Sequence, residues 1–60
     1  MKVGDLVRFA PNCERAWYVP NAKIGIVKGI FEELFVSVFW KEDLTTAELE
    51  DDLEVLRESR

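Results

Sequence analysis

The stretch LFVSVFWK, residues 34–41, decides the fold class of this chain. Side chains of an extended strand alternate between two faces, so one face of this stretch carries Leu34, Val36, Val38 and Trp40. That face is wholly apolar, which predicts a β-strand whose inner side packs on a core. The opposite face carries Phe35, Ser37, Phe39 and Lys41, and its two phenylalanines are more apolar than a plain solvent-facing surface requires.

Shorter runs before this stretch predict two further strands. The first is LVRF at residues 6–9, which follows a Gly-Asp pair, and the second is KIGIVKGIF at residues 23–31. Glycine inside a strand marks a bulge, a bend or a close approach of the backbone, so Gly25 and Gly29 predict a curled sheet. Glu32 and Glu33 are expected to form the following hairpin tip. The predicted core consists of Val7, Val27, Val36, Val38, Trp40 and Leu53.

The C-terminal third of the chain allows two interpretations. Thr45 and Glu48 have the spacing of a capping box, and a helix over residues 46–57 would align Leu49, Leu53 and Leu56. Alternatively, a short helical turn at residues 46–50 precedes a last strand at residues 53–56. We favour the second interpretation. It gives a mainly β, antiparallel fold of four to five strands, with a short helical turn before the last strand, in a single domain over residues 1–60.

The connection between the first two predicted strands, residues 10–22, is unusually long and aromatic. Prolines and asparagines punctuate it at Pro11, Asn12, Pro20 and Asn21. Connections of this length tend to be functional or disordered, and Trp17 and Tyr18 favour a functional one. Trp17 plugs one end of the curled sheet, is presented to a partner, or does both with its two ring faces. Arg15 would suit the rim of such an interface.

Charge is distributed unevenly along the chain. The net charge of the 60 residues is -4, and residues 41–60 alone carry eight Asp and Glu against three Lys and Arg. An acidic protein is poorly suited to neutralising phosphates, which argues against nucleic-acid binding. Glu48, Glu50, Asp51 and Asp52 form either a solvated surface or an acidic docking surface for a basic partner.

The residue types that catalysis and metal binding require are scarce. The chain contains no histidine and only one cysteine, Cys13, which excludes an internal disulfide and a zinc site. It also has no glycine-rich phosphate loop and no nucleophile beside a base. We therefore predict no enzymatic activity, no metal and no cofactor. No apolar run approaches the roughly 20 residues of a membrane span and no apolar leader follows Met1, so we expect a cytoplasmic protein.

Four motifs together resemble a known group of proteins. MKVGDLVRF at residues 1–9, GIV at 25–27, VSVFW at 36–40 and DLEVL at 52–56 are similar to short SH3-like barrel proteins of tailed bacteriophages. Similar series of short motifs occur in KOW-type domains, Tudor-like domains and a small subunit of photosystem I. The resemblance implies a small antiparallel SH3-like barrel and a phage source, but no activity, because most members of the phage group have none assigned.

These observations predict a non-catalytic protein–protein interaction module, encoded by a phage and docking on a host or phage protein. The predicted contact residues are Arg15, Trp17 and Tyr18 in the long connection and Phe35 and Phe39 on the outer strand face. That apolar face also predicts a homo-oligomer or an obligate partner. The alternatives are a structural virion component, such as a cement or adaptor protein, and a single-stranded nucleic-acid-binding protein.

Overall fold

Five antiparallel strands form a single sheet in the structure, a computed structural model that describes residues 1–19, 23–32 and 34–59. The elements in chain order are β1 (Leu6–Phe9), α1 (Arg15–Tyr18), β2 (Gly25–Phe31), β3 (Phe35–Lys41), β4 (Leu44–Leu49), a 3₁₀ turn (Glu50–Asp52) and β5 (Leu53–Arg57). The strand order across the sheet is β4-β3-β2-β1-β5. The prediction of a mainly β antiparallel fold is confirmed. The sheet is open, with β4 and β5 as its edges.

Two glycines shape β2, the strand that pairs with both β1 and β3. Gly25 is buried, and a Cβ atom there would collide with Val38 Cγ1 and lie 2.8 Å from Trp40 Cε3. Gly29 adjoins an irregularity in the register, because Val27 pairs with Val38 whereas Gly29 pairs with Ser37. Lys28 is therefore the extra residue of a bulge, and such bulges bend a strand. Gly25 and Gly29 thus lie at two of the features that glycine inside a strand indicates, a close approach and a bulge.

The core lies on one face of the sheet, which we call the inner face, and all six of its predicted residues are buried. The structure adds two residues that the predicted core left out, Phe9 and Val19. The Phe9 ring stacks on Trp40 with the ring centroids 4.7 Å apart. Phe9 ends β1 and alternates with buried Val7, so strand periodicity explains its position. Leu34, expected on this inner face, is exposed and precedes β3.

Asp5 joins the two ends of the described chain. Its carboxylate is buried and accepts hydrogen bonds from the backbone amides of Ser59 (2.6 Å) and Lys2 (2.8 Å). These two donors lower the pKa of Asp5 below its ordinary value, because they stabilise the charged carboxylate. One side chain thus fastens the N-terminal turn to the segment that follows β5.

The C-terminal third confirms the last strand of the favoured interpretation, predicted at residues 53–56 and found as β5, but it differs from both interpretations over residues 46–52. Residues 46–49 belong to strand β4, so the capping box, the turn placed at 46–50 and the continuous helix over 46–57 are all wrong. A helical turn does precede the last strand, but it lies at Glu50–Asp52. The misleading feature is that β4 points its polar side chains inward. Thr46 pairs with Val38 and Glu48 with Val36, both of the inner face, while Leu49 pairs with Phe35 of the outer face.

Candidate functional site

Helix α1 presents two aromatic side chains to solvent. Trp17 is 87% exposed and Tyr18 is 74% exposed, the largest exposed fractions among the large hydrophobic residues that the structure describes. The residue that this segment inserts into the core is Val19. The structure therefore excludes Trp17 as the plug. Residues 20–22 of the predicted long loop lie outside the described residues.

An ion pair ties α1 to the edge strand β4. Arg15 Nε donates to Glu48 Oε1 at 2.8 Å, and Arg15 Nη2 donates to Glu48 Oε2 at 3.1 Å. Glu48 is only 2% exposed, because its position in β4 directs it inward, and the hydrogen bond and charge of this carboxylate raise the pKa of Arg15. A two-point contact between planar groups fixes orientation as well as distance. Arg15 thereby positions α1.

Two adjoining depressions border the exposed aromatic residues. One, of about 520 Å³, is lined by Pro11, Asn12, Glu14, Trp17 and Tyr18. The other, of about 410 Å³, is lined by Asn12, Cys13, Glu14, Arg15, Tyr18 and Asp52. They share Asn12, Glu14 and Tyr18, so they form one continuous surface, which we call the α1 surface. Asp52 reaches it because the Ala10 amide donates a hydrogen bond of 2.9 Å to the Asp52 carbonyl, joining the 3₁₀ turn to the end of β1.

A second apolar surface lies on the outer face of the sheet. Phe31, Phe35 and Leu49 are direct partners across β2, β3 and β4, so their side chains form one row, and they are 50%, 41% and 41% exposed. Phe39 lies on the same face as Phe35 but is half-buried, with Lys28 Nζ at 5.6 Å from its ring centroid. We call this the outer face. Phe35 and Phe39 share it, with Ser37 between them along β3, and sequence reasoning missed Phe31 and Leu49 as the direct neighbours of Phe35.

One of the four residues of the predicted acidic surface lies in the interior instead. Glu48 is buried against Arg15 and cannot meet a partner, a correction that follows from the inward direction of its strand position. Glu50 lies 3.7 Å from the N-terminal amino group, Asp51 is exposed, and Asp52 lines the α1 surface. The acidic residue beside the aromatic pair that sequence reasoning left out is Glu14, which directly precedes α1.

Two further findings concern function classes. Within residues 1–19, 23–32 and 34–59, no helix has the length and apolar character needed to cross a membrane. In that same part of the chain, no three acidic or thiol side chains are grouped so that they could hold a metal ion.

Comparisons with known proteins return no match: no family model, no curated protein and no solved structure is significantly similar to this chain.

Proposed function

We propose that this chain is a non-catalytic protein–protein interaction module that docks on another protein through Trp17 and Tyr18. The observation that carries the proposal is the exposure of these two neighbouring aromatic side chains on α1. Tryptophan and tyrosine are the residues most enriched at interface hot spots, because each contributes a large apolar surface with few rotatable bonds.

The way α1 is held supports this role. Binding is weakened when loops and side chains must be ordered on contact, so a surface that is ordered beforehand binds more tightly. The ion pair between Arg15 and Glu48 on one side and buried Val19 on the other restrain the helix before any partner arrives. The aromatic pair is thus displayed in a set orientation.

We also propose that the sheet is of the SH3-like type. Two features support this: the strand order β4-β3-β2-β1-β5 and the 3₁₀ turn directly before β5. A phage source and action on a partner in the host cytoplasm belong to the same proposal. They rest on the resemblance of the four sequence motifs.

A random peptide library displayed against the immobilised protein tests the docking role. We expect enriched peptides whose affinity falls at least about tenfold for the W17A/Y18A variant, as hot-spot truncation predicts. The matched control is L34A, which removes an exposed apolar side chain that does not line the α1 surface. No enrichment, or an equal loss with L34A, would overturn the proposal.

The outer face favours a second candidate function, a structural component that assembles through its sheet. The row of Phe31, Phe35 and Leu49 exposes contiguous apolar surface, as assembly interfaces do. A single-stranded nucleic-acid-binding role is less well supported. Stacking residues are available, but Glu14 and Asp52 beside them would repel phosphates.

A further inference from the structure

We infer that the segment docking on the α1 surface is a basic peptide segment, with an arginine side chain against Trp17 or Tyr18. This inference rests on the docking role proposed above and names the partner's chemistry. It follows from an arrangement that the sequence does not reveal: the aromatic pair and part of the acidic C-terminal third share one surface. Tyr18, Glu14 and Asp52 line the same depression although they come from two distant parts of the chain.

The charge of the α1 surface determines whether the partner segment is positively or negatively charged. Two carboxylates, Glu14 and Asp52, line it, and Arg15 is the one cation among the described residues that do so. The guanidinium of Arg15 is engaged by both oxygens of buried Glu48, so the charges of that pair offset each other. A net negative surface remains, and Asp51 adds a further exposed carboxylate next to Asp52 in the chain. A cationic segment is complementary to this field, and a phosphate is not.

The aromatic side chains decide which cation fits best. A guanidinium stacks on the faces of tryptophan and tyrosine and at the same time donates paired hydrogen bonds to a carboxylate. The α1 surface offers both kinds of partner side by side, with Glu14 lining each depression and Tyr18 shared between them. An arginine side chain lying along this surface can therefore contact an aromatic ring and a carboxylate together.

Two fluorescein-labelled peptides test the inference by anisotropy on the intact protein. One alternates glycine and arginine; the other carries citrulline, the neutral counterpart of arginine, at each arginine position. We expect the arginine peptide to bind at least about tenfold more tightly, because each charged contact on this surface contributes a few-fold. Chemical-shift changes at the Trp17 indole and Tyr18 ring should accompany binding.

Charge-matched variants separate a specific site from general attraction to an acidic protein. E14Q/D52N removes the two carboxylates of the α1 surface, whereas E42Q/E58Q removes the same charge at two exposed positions that do not line it. We expect a loss of about tenfold for the first variant and less than twofold for the second at moderate salt. Equal binding of the citrulline peptide, or equal losses for the two variants, would overturn the inference.

A partner without basic residues would leave the docking role of Trp17 and Tyr18 intact. Library-selected peptides that require Trp17 and Tyr18 but contain no basic residue, and that bind E14Q/D52N unchanged, would overturn the basic partner alone. Selected peptides that bind W17A/Y18A as well as wild type would overturn the docking role and the inference with it.

Discussion

Arg15 and Glu48 are joined by two hydrogen bonds between planar groups, and the two residues lie in very different environments. The Glu48 side chain is buried beneath the sheet edge, while Arg15 is half-exposed on α1. The carboxylate would be an unpaired charge in the interior without this one partner. The edge strand β4 and the helix that carries the aromatic pair are consequently linked, and inward charges of this kind also discourage a strand edge from pairing with other chains.

Arg15→Ala should destabilise the protein by about 2 kcal/mol, because it leaves the buried carboxylate of Glu48 without its hydrogen-bonding partner. Urea or heat denaturation measures this loss. The matched control is Arg8→Ala, which breaks the exposed Arg8–Glu54 pair on the strands β1 and β5. Exposed pairs contribute about 0–1 kcal/mol, so the control should change stability little. Similar losses for the two variants would contradict the role assigned to the Arg15–Glu48 pair.

The carboxylate of Asp5 should make the fold sensitive to acid. The amides of Ser59 and Lys2 lower its pKa in the folded protein, so Asp5 stabilises the fold above the unfolded-state value of about 3.9. That contribution is lost as the pH falls through the lower, folded-state pKa. We expect Asp5→Asn to be less stable than wild type at neutral pH and the difference to shrink below about pH 4.

Denaturation curves recorded from pH 7 down to about pH 2 measure this effect of Asp5. Asp51→Asn is the control, because Asp51 is exposed. A constant difference between Asp5→Asn and wild type over the whole range would show that the carboxylate charge is not what joins the termini.

The two glycines of β2 should respond differently to alanine. Gly25→Ala pushes a methyl group into Val38 and Trp40 in the core and should cost about 1–3 kcal/mol, the usual range for overpacking. The nearest atom to a Cβ at Gly29 is Ser37 Cβ at 3.9 Å, an ordinary contact, so Gly29→Ala should change stability by less than about 1 kcal/mol. Thermal melting of both variants tests these two expectations. Equal destabilisation would contradict the packing at Gly25.

The strands that could be predicted are those in which the apolar residues of the alternating pattern are also the buried ones. In β3, Val36, Val38 and Trp40 point to the core and Phe35 and Phe39 do not, so period-two patterning located the strand within one residue. Strand β4 reverses the usual pattern, with Thr46 and Glu48 inside and Leu49 outside. Its inward polar groups are tolerated because Thr46 Oγ1 accepts a hydrogen bond from Trp40 Nε1 at 2.8 Å and Glu48 meets Arg15. Arg15 is 33 residues from Glu48 in the chain, so local patterning could not indicate this partner and predicted a helical turn at residues 46–50 instead.

The candidate site also has a part that the sequence predicts and a part that it does not. Trp17 and Tyr18 could be singled out because aromatic residues are unusual in a long connection. Their position beside Glu14 and Asp52 could not be predicted from the sequence, because it depends on the docking of the 3₁₀ turn against the end of β1. A list of acidic residues also does not indicate which of them, here Glu48, a strand directs inward.

The outer face should make the protein associate weakly with itself at high concentration. Stable interfaces cover roughly 800 Å² on each partner, and the half-exposed row of Phe31, Phe35 and Leu49 supplies only part of that area. We therefore expect a dimer that dissociates on dilution and is absent in the F31S/F35S variant, measured by sedimentation equilibrium. The control I24S/L56S removes two exposed apolar side chains away from this row and should leave association unchanged. A wild-type monomer at every concentration, or equal effects of both variants, would contradict an assembly role for the outer face and leave α1 as the one proposed contact surface.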